Sequence, residues 1–380
     1  MDSRQRIITA IDHREPDRVP FDLGATAVTG MHRHAYAALR RYLGLREVSP
    51  QIADTAEQIA VVDDDVAERL GVDTRGIASF YVPPSIEETA EDLRYVDDYG
   101  IGWRMPRDGG LYFDMFHHPL AGDVDDAALA SYPWPKAPSR EQLEPMRNRI
   151  LHELASGPRA IVVESVCSGM METASWLRGY EDFFADVALD PRRAGIVLDH
   201  VLRQKLDYWD RLLDVVGDLV DVVKEVDDLG SQNDLLISPD AYRRLVKPRH
   251  RELFDLIHSK TSARVFLHSC GAIRKLIPDL IEIGVEILNP VQVNAAHMDT
   301  RDLKSEFGSE LSFWGGGIDT QRILCRGSRA EIRDEVRRRL DDLMPGGGFV
   351  FATVHNVQAD VSPENFMSMW ETFREFGSYQ

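Results

Sequence analysis

From about residue 160 onward, the sequence alternates short runs of β-branched and apolar residues with longer amphipathic stretches. The short runs cover residues 160–164, 220–226, 264–268, 287–290, 311–314 and 349–354. Such alternation is typical of α/β folds in which helices connect parallel strands. Two earlier runs, at residues 18–23 and 75–80, raise the number of predicted strands to eight. A closed (β/α)8 barrel of the TIM type has eight parallel strands, and this is the fold that we predict.

An open, doubly wound sheet is the alternative fold for the same alternation. That fold should carry a glycine-rich phosphate-binding turn after its first strand. The first predicted strand is followed by Gly24-Ala25-Thr26-Ala27, which does not have this pattern. The barrel is therefore favoured.

Helical periodicity is clearest in residues 191–216, where Val201, Lys205, Trp209 and Leu212 recur at three- and four-residue spacing. Further helices are predicted for residues 6–13, 36–43, 239–258, 273–283, 329–343 and 363–376. Residues 88–138 are instead rich in Asp, Gly, Pro and aromatic residues, and predict an insertion of loops and short hairpins that we interpret as a lid. We expect one barrel domain over residues 1–380, with an N-terminal extension and this insertion.

Charge and cysteine content restrict the function. The net charge of −19, from 63 acidic against 44 basic residues, argues against a nucleic-acid partner. The three cysteines are too few and too scattered for a disulfide framework, which indicates a reducing compartment. The N-terminal residues show no signal peptide, and no stretch approaches the ~20 apolar residues of a membrane span. We therefore expect a cytoplasmic protein with a small-molecule substrate and no membrane partner.

One predicted strand ends in a pair of residues that can bind a metal ion. The run at residues 264–268 continues into His268-Ser269-Cys270-Gly271. Residues two apart on a strand project from the same face, so the imidazole and the thiol are expected side by side. Because a helix is predicted just after Gly271, we also expect a lowered pKa for the Cys270 thiol. The alternative is a buried cysteine and a hydrogen-bonded histidine that end a core strand.

Most other predicted strands also end in polar residues, and in a (β/α)8 barrel these ends surround the active site. The set consists of Asp22, Glu164, Cys167, Glu225, Asp227, Asp228, His268, Cys270, Asn289, Gln292, Asp319, His355, Asn356 and Gln358. Helix caps and turns explain single members but not the whole set. Asp227 shares a strand face with Glu225 and Asp228 lies on the other face, so one aspartate is expected in the site while the other caps or pairs.

Short motifs in a fixed order resemble the uroporphyrinogen decarboxylase superfamily and, within it, the branch of corrinoid-linked methyltransferases. They lie at residues 14–20, 227–232, 268–271, 288–292, 316–320 and 354–360, and the resemblance runs from near residue 6 to near residue 376. It implies a (β/α)8 barrel, in agreement with the number of predicted strands.

The resemblance also implies a zinc site. In the methyltransferase branch, a His-x-Cys pair supplies two zinc ligands and a cysteine near the last strand supplies a third. Zinc then activates a thiol for methylation by a methylated corrinoid protein. His268 and Cys270 match the pair, whereas residues 353–356 occupy the last-strand position without a cysteine. His355 is therefore the expected third ligand, in a site with one open position.

The leading hypothesis is a zinc-dependent methyltransferase that transfers a methyl group to or from a small methylated compound. Its methylcobalamin would come from a corrinoid protein, because the sequence has no cobalamin-binding D-x-H-x-x-G motif. The expected catalytic residues are Glu225, Asp228 and His355. The expected substrate contacts are Asn289, Gln292, Asp319, Asn356, Gln358, Gln232 and Cys167. A homodimer is left open.

Two other hypotheses remain. A decarboxylase or lyase that acts on a small carboxylated compound would use Asp228 and His355 as its working pair. The arginine-rich N-terminal motif of the decarboxylase branch is absent, since Asp22-Leu23-Gly24-Ala25-Thr26 occupies its place. A catalytically silent barrel that binds a ligand is the third hypothesis.

Overall fold

A curved sheet of seven parallel strands forms the centre of the molecule. The computed structural model describes residues 1–77 and 85–379. Each strand pairs in parallel with the next one along the chain. The strands are Thr74–Ile77, Ala160–Glu164, Val222–Val226, Arg264–His268, Ile287–Asn289, Ser312–Trp314 and Phe349–Val350. This order, with helices as the connections, is that of a (β/α)8 barrel and confirms the predicted fold class.

The extended segment around Phe21 closes the barrel between the first and last strands. Phe21 forms a parallel bridge with Phe351, and the amide of Asp22 donates to the carbonyl oxygen of Phe351 at 2.9 Å. On the other side, the amide of Asp73 donates to the carbonyl oxygen of Phe21 at 2.9 Å. The strand predicted at residues 18–23 is therefore present only as isolated bridges. The strand predicted at 75–80 begins at Thr74, and residues 78–80 lie outside the described residues.

Helices surround the sheet. They are Ser3–Ile11, Arg33–Tyr42, Asp64–Leu70, Asp126–Ser131, Arg140–Ser156, Met170–Arg178, Tyr180–Leu189, Pro191–Val216, Pro239–Ala241, Lys247–Lys260, Ile277–Glu282, Thr300–Phe307, Ile323–Arg326, Arg329–Leu343 and Pro363–Phe376, with short 3-10 turns at Ala27–Thr29 and Arg274–Leu276 and a π-helical turn at Tyr242–Val246. The predictions for residues 191–216, 329–343 and 363–376 are confirmed to the residue. Among the helices of residues 1–77 and 85–379, none combines the length and the apolar character of a membrane span.

The insertion predicted as loops and hairpins forms a four-stranded antiparallel sheet. Its strands are Glu87–Glu88, Asp92–Val96, Gly102–Pro106 and Asp114–His117. Tyr95 pairs with Trp103 across two of these strands, and their rings stack at 6.0 Å. Trp103 also meets the edge of Trp176 at 5.4 Å, which docks the sheet on helix Met170–Arg178.

A second, smaller antiparallel sheet lies beside the loop that follows the last barrel strand. It is made of Met31–His32, Ile52–Asp54 and Ile59–Ala60. Met31 bridges Val357, and the amide of His32 donates to the carbonyl oxygen of Val357 at 2.8 Å. These contacts hold residues 52–60 next to the loop that carries His355.

Two apolar cores stabilise the barrel. The larger core fills the space between the sheet and the helices. The smaller core lies inside the barrel and includes Val162, Val222, Phe266 and Trp314. Strand alternation therefore directs Glu164, Lys224 and His268 into the barrel above this apolar floor, because each lies two residues beyond an inward-facing residue.

Candidate metal centre

His268, Cys270 and His355 form the metal triad, a cluster whose ligand atoms all lie within 4.8 Å of one another. His268 ends the strand Arg264–His268, and Cys270 follows it on the same face. His355 comes from the loop after the last strand, and its ring meets the edge of the His268 ring at a centroid distance of 5.4 Å. The structure thus brings together the three residues expected to bind the metal.

The spacing of two ligand atoms fits a tetrahedral zinc ion. Sγ of Cys270 lies 3.5 Å from Nε2 of His268. Zn–S and Zn–N distances of about 2.3 and 2.1 Å at a tetrahedral angle separate the two ligand atoms by about 3.6 Å. One thiol and two imidazoles are also a donor set that zinc accepts. The residues of the metal triad therefore fit this ion.

His268 is held in the form that binds metals. Its Nδ1 lies 2.5 Å from Oδ1 of Asn289, and its side chain is almost fully buried. Burial, with the charges of His355 and Lys224 nearby, holds the pKa of His268 well below its usual range. The imidazole is therefore neutral at physiological pH, and its Nε2 faces Cys270.

The expected lowering of the Cys270 pKa is wrong. Burial, followed by the charges of Asp228, Glu172 and Glu57, raises the pKa of this thiol well above its usual range. A 3-10 turn at Arg274–Leu276 also separates Cys270 from the helix Ile277–Glu282 that follows it along the chain. The thiol is protonated in the metal-free protein, and binding of a metal ion would release that proton.

The three carboxylates at the end of strand Val222–Val226 take different positions. Asp228 faces the site: its Oδ1 accepts the amide of Cys270 at 2.7 Å and lies 3.8 Å from Nε2 of His268. Asp227 points the other way and accepts the amide of Met171, at the start of helix Met170–Arg178, at 3.0 Å. The two aspartates therefore lie on opposite faces, as strand alternation predicts, with Asp228 beside the metal triad and Asp227 at the start of a helix.

Glu225, expected to act in catalysis, lies on the outer face of the strand and away from the metal triad. Its carboxylate accepts Nζ of Lys205 at 2.7 Å and the hydroxyl of Ser165 at 3.0 Å, and it also accepts the indole Nε1 of Trp209. It shares this face with Asp227, as strand alternation requires. Glu225 is therefore part of a buried ion pair between the sheet and helix Pro191–Val216.

Cys167, expected near the barrel mouth, belongs to the same outer environment. Burial raises the pKa of the Cys167 thiol, and the nearby charges of Lys205 and Glu225 also act on it. The structure places it beside the buried ion pair and not with the metal triad.

Five carboxylates near the metal triad, named here the acidic wall, act on Cys270 or on one another. They are Asp54, Glu57, Glu164, Glu172 and Asp228. Sequence reasoning found Glu164 and Asp228 at strand ends but missed the other three. Asp54 and Glu57 come from the small sheet, and the Oε2 of Glu57 accepts Nδ2 of Asn356 at 2.7 Å.

Two members of the acidic wall have strongly raised pKa values. Burial, with Glu57 and Glu164 nearby, raises the pKa of Asp54 to about 7. Burial, with Asp228 and Asp227 nearby, raises the pKa of Glu172 to about 8. Lys224 partly offsets this charge, since its Nζ lies 3.4 Å from Oε1 of Glu164. The site is thus an acidic environment in which carboxyl groups hold protons near neutral pH.

The amide side chains expected to contact substrate are bonded within the protein. Asn289 bonds His268 and the carbonyl oxygen of Trp314. Gln292 accepts the amide of Gly271 at 2.6 Å and thereby holds the turn after Cys270. Asn289 therefore supports the metal triad through His268, and Gln292 supports it through the turn that follows Cys270.

The remaining predicted contacts lie at the rim. Gln232 accepts Nε2 of Gln292 at 3.0 Å and is exposed. Gln358 donates to Asn356 and accepts the hydroxyl of Tyr112, which joins the inserted sheet to the loop of His355. Asp319 accepts the amides of residues 321 and 322 at 2.8 and 3.2 Å and caps that turn.

The chain is similar to known proteins both in sequence and in fold. The family model described as Uroporphyrinogen decarboxylase (URO-D) matches residues 97–376. Among solved structures, the chain is similar to a methyltransferase from Methanosarcina mazei, with a TM-score of 0.66 and 17% identity over 99% of each chain. At that identity the likeness shows a shared fold.

Other solved structures are less similar. A hyperthermophilic β-glucosidase from Pyrococcus furiosus gives a TM-score of 0.39 and 12% identity over 82% of each chain. Native xylanase 10B from Thermotoga maritima gives 0.38 and 10% identity over 67% of this chain and 94% of that one. No curated protein matches the sequence significantly.

Proposed function

Because the chain belongs to the uroporphyrinogen decarboxylase family, we propose that it is a zinc-dependent methyltransferase that acts with a corrinoid protein on a small methylated compound. The family and the shared fold support an enzyme of the methyl-transfer or decarboxylase type. One observation favours methyl transfer over decarboxylation. Sγ of Cys270 and Nε2 of His268 lie 3.5 Å apart with His355 beside them, an arrangement that suits a zinc ion.

The metal triad would hold the zinc ion. A bound zinc ion supplies Lewis acidity, which lowers the pKa of a heteroatom of the substrate. Asn289 orients His268, and the carboxylate of Asp228 fixes the amide of Cys270. About a third of the Asp228 side chain is exposed, so it also lies open to a substrate. Asp228 is the residue that we assign to proton transfer.

The acidic wall supports methyl transfer over porphyrinogen decarboxylation. A porphyrinogen carries several carboxylates, which need cationic partners in the site. Here Asp228, Glu172 and Glu57 act on Cys270, Asp54 lies beside Glu57, and the cation Lys224 is already paired with Glu164. A neutral or cationic compound suits this environment better than a polyanion.

A decarboxylase or lyase that uses Asp228 and His355 is the second candidate. One observation favours it. Burial raises the pKa of Asp228 overall, but the charge of His355 acts in the opposite direction and favours the ionised carboxylate. Such an enzyme would work without a metal ion.

A methylcobalamin assay separates the two candidates. The zinc-loaded protein is mixed with methylcobalamin and a series of small thiols, and loss of the methyl–cobalt absorbance is followed. The proposal predicts demethylation that a zinc chelator abolishes, that added zinc restores, and that Cys270→Ala lacks. Cys325→Ala, a thiol outside the metal triad, is the matched control. Release of carbon dioxide from a carboxylated compound in the presence of the chelator, without demethylation, would favour the second candidate.

A further inference from the structure

Asn289 lies fully buried between a ligand of the metal triad and the next strand of the barrel. Its Oδ1 is 2.5 Å from Nδ1 of His268, and its Nδ2 is 2.7 Å from the carbonyl oxygen of Trp314. The side chain has no exposed surface. Both of its polar groups are therefore engaged inside the protein, which leaves none for a substrate.

These two contacts fix the orientation of the Asn289 amide. A backbone carbonyl oxygen can only accept a hydrogen bond, so the NH2 group must face Trp314. The carbonyl oxygen of the amide then faces His268 and can only accept. Nδ1 of His268 must consequently carry a hydrogen, and in the neutral ring Nε2 is left with its lone pair.

The Nε2 lone pair points to the place where the metal triad converges. Nε2 lies 3.5 Å from Sγ of Cys270, on the side of the ring opposite Asn289. We propose that Asn289 is a positioning residue, which sets the Nδ1–H tautomer and the ring orientation of His268 so that Nε2 faces the metal ion. The identity of that ion rests on the proposed function, whereas the tautomer does not.

The partner of Asn289 is itself anchored on the far side of the barrel. Nε1 of Trp314 donates to Oδ2 of Asp22 at 2.8 Å, and Oδ1 of Asp22 accepts the hydroxyl of Thr74 at 2.7 Å. The indole also meets the edge of Phe266 at 5.5 Å in the interior core. These contacts hold the Trp314 carbonyl in place. The Asn289 side chain therefore cannot rotate without losing its hydrogen bond to Trp314 or to His268.

Two substitutions separate the role of the Asn289 side-chain oxygen from that of its NH2 group. Asn289→Leu and Asn289→Asp both remove the donor to Trp314, but only Asn289→Leu removes the oxygen that accepts Nδ1–H. Zinc affinity is measured by competition with a chromophoric chelator. We expect Asn289→Leu to bind zinc about 10- to 100-fold more weakly than the wild type, the usual effect of losing such a partner. Asn289→Asp should recover most of that loss.

The matched control removes a partly buried amide whose side chain bonds residues outside the metal triad. Nδ2 of Asn365 donates to the carbonyl oxygen of Leu324 at 2.9 Å, so Asn365→Leu loses a comparable bond. It should leave zinc affinity unchanged. Equal zinc affinity in Asn289→Leu and the wild type would overturn the positioning role.

A second readout needs no metal. Long-range 1H–15N correlation spectra of the 15N-histidine-labelled, metal-free protein report which ring nitrogen carries the hydrogen. We expect Nδ1–H at His268 in the wild type and in Asn289→Asp. Nε2–H at His268 in the wild type would overturn the inference even if Asn289→Leu fails to fold. Nδ1–H in a wild type that binds no zinc would uphold the tautomer and refute the proposed function.

Discussion

Sγ of Cys270 and Nε2 of His268 lie 3.5 Å apart at the mouth of the barrel, at the separation of two ligands on one zinc ion. Their backbone positions follow from one strand that ends at His268, and their side-chain setting follows from Asn289 and Asp228. The third member, His355, comes from the loop after the last strand, and its ring meets the edge of the His268 ring. The metal triad is therefore assembled from residues in different parts of the chain.

The buried pair of Glu225 and Lys205 should act in stability and not in catalysis. Nζ of Lys205 lies 2.7 Å from Oε2 of Glu225, and both side chains are buried. Glu225→Leu leaves the ammonium of Lys205 without its partner, so we expect a loss of about 3–5 kcal/mol in the free energy of unfolding. Urea denaturation measures the loss, and the double variant Glu225→Leu/Lys205→Met should regain most of it. Loss of zinc from folded Glu225→Leu would contradict this assignment.

Protonation of Glu172 should make the stability of the metal-free protein depend on pH. Burial and the nearby Asp228 and Asp227 raise its pKa from 4.5 to about 8. The folded protein therefore keeps a proton that the unfolded chain releases, and this stabilisation, complete below pH 4.5, is lost as the pH rises to about 8. Glutamine does not ionise, so the melting temperature of Glu172→Gln should fall less than that of the wild type between pH ~5 and ~8.

Thermal denaturation followed by circular dichroism measures this difference. Glu181→Gln replaces an exposed carboxylate on the following helix and is the control, expected to follow the wild type. A wild-type melting temperature that falls no more steeply than that of Glu172→Gln would show that Glu172 ionises normally.

Asp228 should be required for turnover but not for metal binding. An asparagine at this position keeps an oxygen for the amide of Cys270, so the metal triad should retain its shape. Because Asn cannot take a proton, Asp228→Asn should lower kcat by about 10²- to 10⁴-fold in the methylcobalamin assay. The exposed Asp234, varied to Asn, is the control. Turnover at the wild-type rate in Asp228→Asn would exclude it as the proton-transfer residue.

Local sequence rules predicted the parts of the site that lie on regular strands. The two-residue spacing placed His268 and Cys270 together, and the same alternation separated Asp228 from Asp227. Alternation does not say which face of a strand is inside, however. The sequence therefore predicts Glu225 in the site, whereas in the structure Lys205 of helix Pro191–Val216 pairs with it on the outer face.

Contacts between distant segments explain what the sequence did not predict. Asp54 and Glu57 reach the site because a small sheet docks on the loop after the last strand, and no periodic pattern marks that docking. The pKa of Cys270 depends on the same packing, because carboxylates from three segments surround its thiol. Asn289 was predicted to lie at the site, but only its two bonds show that it faces His268.

The zinc content of the purified protein tests the central claim most directly. Elemental analysis should find about one zinc ion per wild-type chain and little in His268→Ala, Cys270→Ala or His355→Ala. His355→Cys should restore binding, because a thiolate can replace the imidazole as the third ligand. Cys325→Ala, the control, should keep its zinc. A wild type without zinc, or a full complement of zinc in His355→Ala, would contradict the account.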